Sequence, residues 1–221
     1  MTEPAATIRA AVKVTIYFSL ATTELTGTVV RTATAYSFEG TWTRSGTGPG
    51  RTERLRVIAT GGRVYVASAA LPGSSAARWV RVRSAKDIAT ITGSPTIDLA
   101  ILDPRLYMHV VNPAYWASAE GIGEPEDKGG HRYSAGCSGA TISGPPNCYW
   151  AKLGSLFDTW RGSLCDAAED VWIDSGSHVI KRIAADWFLY SVEQVGAKLE
   201  ATLTLTTQST AAPISPPAVV S

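Results

Sequence analysis

The sequence predicts a single α+β domain of mainly β character, in which one large curved antiparallel sheet packs on a few helices. Three observations predict it: runs of alternating apolar residues, frequent Gly- and Pro-containing turns between them, and the absence of strand–helix–strand alternation. A length of 221 residues is within the range of one large β domain. We therefore assign residues 1–210 to a single domain and the proline-rich residues 211–221 to an extended tail.

The first part of the chain predicts a meander of six strands. Residues 12–20 alternate, so that five apolar side chains project to one side. These are Val12, Val14, Ile16, Phe18 and Leu20. Strands are also predicted over residues 24–32, 35–44 and 78–83. Between the last two, Gly61 and Gly62 join two apolar runs as a tight hairpin, which places Leu55, Val57, Val64 and Val66 toward one interior.

The second part mixes helices with further strands. A helix is predicted from about Pro104, because proline suits the first helical turn. A second, amphipathic helix is predicted over residues 150–160, where Trp150, Phe157 and Trp160 recur at helical spacing. The predicted strands cover residues 115–120 and 131–135 around a polar loop at 121–130, a hairpin of 167–173 and 178–184 around a turn at 174–177, and finally 187–192 and 198–207.

Charge and hydropathy bear on the partners of the protein and on its relation to the membrane. The formal net charge is only +1, which predicts no nucleic-acid partner. No apolar stretch near the start reaches the ~20 residues of a spanning helix. The first residues also lack the basic region and apolar run of a secretory signal, so either the protein stays inside the cell or its export segment is absent from this sequence.

Three cysteines, Cys137, Cys148 and Cys165, lie close together in the chain. One disulfide with one remaining thiol and a set of unpaired buried thiols are both compatible with this spacing. Loop length does not select a pairing, because closing either short loop involves roughly 3 kcal/mol of chain entropy. A disulfide would indicate an oxidising compartment.

The polar residues predict neither catalysis nor a metal or other cofactor. His109, His131 and His178 have no spacing typical of a metal site or a catalytic triad. Asp174 stands where a hairpin turn favours Asp, and the Gly-x-Ser-x-Gly pattern of a nucleophile elbow is absent. The aromatic helix has two interpretations: it fills the core, or it covers a concave sheet incompletely and leaves an apolar cavity for a ligand.

Several short motifs resemble the actinobacterial lipoprotein family typified by LppX and LprG. They are Leu25-Thr-Gly27, Leu55 to Tyr65, Arg78-Trp-Val-Arg-Val82, Leu102-Asp-Pro104, Gly129-Gly-His-Arg-Tyr133, Val171-Trp-Ile-Asp174 with Ile180-Lys-Arg182, and the proline-rich end. The family resembles the lipoprotein carriers LolA and LolB. It implies a half-barrel sheet around helices and a cavity for lipid or glycolipid acyl chains.

The resemblance also implies residues, partners and location. The chain is expected to act outside the cytoplasm, membrane-associated or secreted, as a monomeric and non-enzymatic carrier that meets a membrane transporter or another envelope protein. The alternative is an envelope-sensing or protein-interaction module with a closed cavity. The implied lining positions are Phe18, Phe38, Leu55, Val57, Val64, Val66, Val80, Val82, Leu106, Phe157, Trp160, Val171 and Ile173.

Overall fold

The computed structural model describes residues 7–46, 48–94, 97, 99–108, 122–126, 130–138, 162–191, 196–208 and 213–218. The strands are β1 (Thr7–Phe18), β2 (Ala21–Arg31), β3 (Ala35–Ser45), β4 (Arg51–Thr60), β5 (Arg63–Ala67), β6 (Val80–Arg81), β7 (Ile122–Glu126), β8 (Gly130–Ser138), β9 (Gly162–Asp174), β10 (Ile180–Ser191) and β11 (Gly196–Gln208). The helices are α1 (Ala85–Thr92) and α2 (Pro104–Met108), with a 3₁₀ turn over Leu99–Leu102 between them.

All eleven strands belong to one open antiparallel sheet in the order β6-β5-β4-β3-β2-β1-β11-β10-β9-β8-β7. The first six strands form the predicted meander. The last strand returns to the middle, where β11 pairs with β1 from Thr7↔Gln208 to Phe18↔Ala197. Because β6 and β7 lie at opposite edges, the sheet is not closed into a barrel. The predicted fold class, a large antiparallel sheet with few helices, is confirmed.

The first hairpin corrects one predicted core position. Phe18 pairs with Ala21, so Ser19 and Leu20 form a two-residue turn, in which Ser19 has a φ of 56°. This left-handed conformation suits the tight turns that connect neighbouring antiparallel strands. Leu20 is therefore 78% exposed at the tip, whereas Val12, Val14 and Ile16 are buried as predicted.

The second predicted hairpin is confirmed. Gly61 and Gly62 have φ values of 57° and 68°, a conformation that glycine adopts without steric cost. The turn sets Val57 opposite Val66, so both side chains lie on the same face. Strand β6, which pairs with β5, is much shorter than the predicted strand at 78–83, and α1 is already capped at Ser84.

Two paired glycines allow neighbouring strands to approach closely in the first half of the sheet. Gly27 on β2 lies opposite Gly40 on β3. A Cβ atom on Gly27 would lie 2.3 Å from the carbonyl oxygen of Glu39, and one on Gly40 would lie 2.2 Å from that of Thr26. Glycine pairs of this kind permit a sheet to bend, and the Phe38 ring lies over Gly40 on the inner side.

A layer of short helices covers this half of the sheet. Helix α1, which the apolar pattern did not predict, begins with a capping box in which the Ser84 and Asp87 side chains bond each other's backbone N–H groups. It ends at Gly93 in the left-handed conformation. Helix α2 begins at Pro104 as predicted.

Three anchors fix the helical layer to the sheet. The Trp42 indole N–H donates to the Ile91 carbonyl at 2.5 Å, and the Tyr36 hydroxyl donates to the Leu99 carbonyl at 2.9 Å. The third anchor is an ion pair between Arg31 and Asp103 with Nε to Oδ1 at 3.0 Å. Arg31 also donates to the Ala35 carbonyl at 2.8 Å, so it ties the β2–β3 turn to the start of α2.

The second half of the sheet corrects two predicted boundaries. Strand β7 lies inside the segment predicted as a polar loop, and β10 continues through residues 180–191, where two separate strands were predicted. The hairpin around Asp174 and the last strand are confirmed. The strand predicted at 115–120 and the aromatic helix at 150–160 lie outside the described residues. Residues 213–218 form neither helix nor strand.

Candidate functional site

Apolar residues form a row across most of the inner face of the sheet. Residues that oppose each other in antiparallel strands project to the same face, so the pairing defines rows that cross the sheet. One row contains only apolar residues and glycines from β4 to β9: Leu55, Gly40, Gly27, Val12, Leu203, Ile183 and Val171. Every non-glycine member of this row is at most 2% exposed.

The predicted lining positions fall on this face or against it. Six of them are buried: Phe38, Leu55, Val57, Val66, Leu106 and Val171. Five are partly buried and pack against the core: Phe18, Val64, Val80, Val82 and Ile173. Phe157 and Trp160 lie outside the described residues. Contact of any of these positions with a ligand stays a prediction.

The cysteine pairing also stays a prediction. Cys137 lies on β8 in register with Ala167, Cys165 lies on β9, and Cys148 is outside the described residues. Since Cys137 is not paired in register with Cys165, the two cysteines are not cross-strand partners on neighbouring strands.

The two halves of the inner face carry side chains of different size. In the β1–β5 half, bulky residues such as Phe38, Trp42 and Leu55 meet the helical layer and are at most 3% exposed. In the other half, two small residues face each other across neighbouring strands, Ala185 on β10 and Ala201 on β11. Ala201 in turn lies opposite Val14 on β1. This low row is buried, since Ala185 and Ala201 are 5% and 3% exposed.

Larger residues flank the low row on both sides. On one side of the two alanines, Ile183 on β10 lies opposite Leu203 on β11. On the other side, Trp187 lies opposite Leu199. A separation of two residues corresponds to about 7 Å along a strand. The two alanines therefore form a low row between larger side chains on β10 and β11, and we call this row the alanine groove.

An aromatic pair forms part of one wall of the alanine groove. The rings of Tyr107, from α2, and Trp187 stack with centroids 5.2 Å apart and an interplanar angle of 28°. The Tyr107 hydroxyl donates to the Ile101 carbonyl at 2.8 Å, so its polar end is satisfied within the helical layer.

The outer face of the central strands is polar and carries a charge network. Lys198 contacts Glu200 at 2.6 Å and Asp186 at 3.1 Å, and the Tyr17 hydroxyl donates to Glu200 at 3.0 Å. The hydrogen bond from Lys198 lowers the pKa of Glu200, and the hydrogen bond to Glu200 raises the pKa of Tyr17. These groups are partly exposed and bridge β1, β11 and β10.

Two other titratable residues noted in the sequence, Asp174 and His178, lie in the β9–β10 turn. Asp174 Oδ1 accepts bonds from the Ser177 N–H and hydroxyl, both at 2.7 Å, which lower its pKa and fix the β9–β10 turn. His178 is exposed in the same turn with a φ of 55°. Within the described part of the chain, no group of three or more His, Cys, Asp or Glu residues is placed to hold a metal ion. Among the helices of that part, none is long and apolar enough to cross a membrane.

The fold and its buried inner face define a class: an open antiparallel sheet with a short helical layer on one side. Comparison with known proteins does not narrow this class to a family, because no protein-family model and no curated protein matches the chain. A solved structure described as lipid–protein interactions in lipovitellin is similar, with 11% identity and a TM-score of 0.33. The match covers 99% of this chain and 27% of the lipovitellin chain.

The alanine groove is not predicted by the sequence alone. Its signal is present: Ile183, Ala185 and Trp187 alternate on one strand, and Leu199, Ala201 and Leu203 on another, each with alanine at the centre. What the sequence alone does not contain is the register that sets the two alanines opposite each other, since register is determined by pairing between distant parts of the chain.

Proposed function

We propose that this protein binds the acyl chain of a lipid, or a ligand of similar hydrophobicity, in the alanine groove. The single observation that carries the proposal is the pairing of Ala185 with Ala201 between two higher apolar rows. A polymethylene chain is narrow enough to lie between rows about 7 Å to either side of a floor. It makes no hydrogen bonds, so it matches walls whose polar atoms are already paired.

Burial of the acyl chain supplies the affinity for the ligand. Each methylene removed from water contributes about 0.8 kcal/mol, so a long acyl chain is held without any charged contact. The β1–β5 half has no comparable row, because Phe38, Trp42 and their neighbours already meet the helical layer. The proposal therefore concerns the β10–β11 half.

We further propose that binding is not accompanied by catalysis and that the protein acts outside the cytoplasm, as expected for the LppX and LprG type of carrier. The alternative, a protein-interaction module with a closed interior, is favoured by the packing of the β1–β5 half. The two functions make opposite predictions for the alanine groove.

The test compares Ala185→Phe with Ala184→Phe. Ala184 is the next residue on the same strand and faces the outer side, between Thr202 and Asp170. We expect native mass spectrometry and solvent extraction to detect a co-purifying lipid in the wild type and Ala184→Phe. Ala185→Phe should retain its melting temperature and lose the lipid, because the ring occupies the space of the acyl chain.

If the interior beside Ala185 is already packed, Ala185→Phe should instead lower the stability of the protein. A phenylalanine added to a filled core would force its neighbours apart and destabilise the protein by about 1–3 kcal/mol. A destabilised Ala185→Phe, together with a wild type that carries no lipid before or after incubation with membrane lipids, would reject lipid binding.

A further inference from the structure

The charges of this protein are separated along the sheet, although their sum is small. Residues 51–87 contain eight Lys or Arg residues and two Asp or Glu residues, whereas residues 120–200 contain twelve Asp or Glu residues and seven Lys or Arg residues. The first segment forms β4 to β6 and the start of α1 at one edge of the sheet. The formal net charge of +1 therefore hides a strongly basic edge.

Five basic side chains at this edge are exposed, and together we call them the basic edge. They are Arg63, Arg78, Arg81, Arg83 and Lys86. Among the described residues, no carboxylate forms an ion pair with any of them. Asp87, the nearest acid in the chain, accepts bonds from the backbone N–H groups of Arg83 and Ser84 and is used in the helix cap.

The surface beside these residues is prearranged. The Ser74 hydroxyl donates to the Arg78 carbonyl at 2.8 Å and accepts a bond from the Ser68 N–H at 3.0 Å, which fixes the loop before β6. The Arg56 guanidinium lies 4.7 Å from the Trp79 ring centroid and donates to the Ala76 carbonyl at 2.5 Å. The half-buried Trp79 ring is thus held next to exposed arginines.

We propose that the basic edge docks on the surface of a bilayer that contains anionic phospholipids. Arginine side chains bind phosphate groups through bidentate hydrogen bonds. A tryptophan beside them suits the headgroup region of a bilayer, because its ring is largely apolar and its N–H is polar. The acidic strands at the far edge are repelled by the same surface, so docking also orients the protein. The choice of a membrane over another polyanion rests on the proposed function.

The test uses two variants with equal loss of charge. Arg81→Gln/Arg83→Gln removes two charges from the basic edge. Arg9→Gln/Lys181→Gln removes two exposed charges from β1 and β10, several strands away, so both variants change the net charge by the same amount. Partition of the full chain is measured by co-flotation with phosphatidylcholine vesicles that contain about a third phosphatidylglycerol, and with pure phosphatidylcholine vesicles.

We expect the wild type to bind the anionic vesicles and to be released by salt. Each arginine close to the surface contributes about fivefold to partition, so the Arg81/Arg83 variant should bind roughly 25-fold more weakly. The control variant should remain close to the wild type. Equal losses in the two variants, or equal binding to neutral vesicles, would overturn the proposal.

Two further outcomes would overturn the proposal by assigning the basic edge to a different partner. Tighter binding to a single-stranded oligonucleotide than to anionic vesicles at the same ionic strength would indicate a nucleic-acid surface. Self-association that is lost in the Arg81/Arg83 variant would indicate a second copy as the partner. Failure of docking is separate from failure of lipid binding: Arg81→Gln/Arg83→Gln should keep its co-purifying lipid, and Ala185→Phe should still bind anionic vesicles.

Discussion

At the scale of single residues, the ion pair between Arg31 and Asp103 is mostly buried and should be costly to break. The two side chains are 10% and 19% exposed, and Arg31 also satisfies the Ala35 carbonyl. Arg31→Met would leave a largely buried carboxylate without its cation. We expect the free energy of unfolding in urea to fall by about 3–5 kcal/mol, because uncompensated buried charge is costly.

The pair formed by Arg54 and Glu39 provides the matched control. Its side chains are 58% and 62% exposed, so water already screens the two charges. Arg54→Met should lower the free energy of unfolding by less than about 1 kcal/mol. Similar losses in Arg31→Met and Arg54→Met would mean that the buried pair does not hold the helical layer to the sheet.

At the scale of strands, side chains on the outer face link β1, β11 and β10 through Glu200. The pKa of Glu200 in the folded protein is below its ordinary value of 4.5, chiefly because Lys198 donates a hydrogen bond to it. A carboxyl with a lowered pKa stabilises the fold above its ordinary pKa, and this contribution is lost as the pH falls through the folded pKa. Glu200→Gln should thus be less stable than the wild type at pH 7, by less than about 1 kcal/mol.

The difference between Glu200→Gln and the wild type should shrink as the pH is lowered below 4.5. Urea denaturation across this range measures it. In a Lys198→Met background the pH dependence should become smaller, because the main cause of the shift is removed. A difference that stays constant with pH would show that Glu200 acts through packing and not through its charge.

The incorrect predictions for α1 and β7 have physical reasons. Helix α1 is only eight residues long, so a search for apolar periodicity misses it, whereas the Ser84–Asp87 capping box and Gly93 mark both ends. Strand β7 contains Pro125, which argues against a central strand. It is tolerated because β7 lies at the edge of the sheet, where a missing N–H can face away from the neighbouring strand.

At the scale of the whole molecule, the fold class follows from local patterns, but the site does not. Alternating apolar residues and the Gly61-Gly62 turn are sufficient to predict the meander. The alanine groove requires the pairing of β10 with β11, and the basic edge is hidden because total charge is an average over the chain. Both features depend on which strands become neighbours, and β1 and β11 pair across almost the full length of the chain.

That long-range pairing leads to a prediction about the integrity of the sheet. Strand β11 is the only connection in the sheet order between the β1–β6 half and the β7–β10 half of the described strands. A chain that ends at residue 195 lacks β11 and exposes the apolar faces and hydrogen-bonding edges of both β1 and β10. We expect it to lose its cooperative thermal transition, as followed by circular dichroism.

A chain that ends at residue 210 keeps all eleven strands and is the matched control. Its melting temperature should equal that of the full chain, because residues 213–218 form no strand or helix. A synthetic peptide of residues 196–208 added to the shorter chain should restore the transition by strand addition between β1 and β10. Cooperative unfolding of the shorter chain without the peptide would mean that the two halves are independently stable and that β11 merely lies between them.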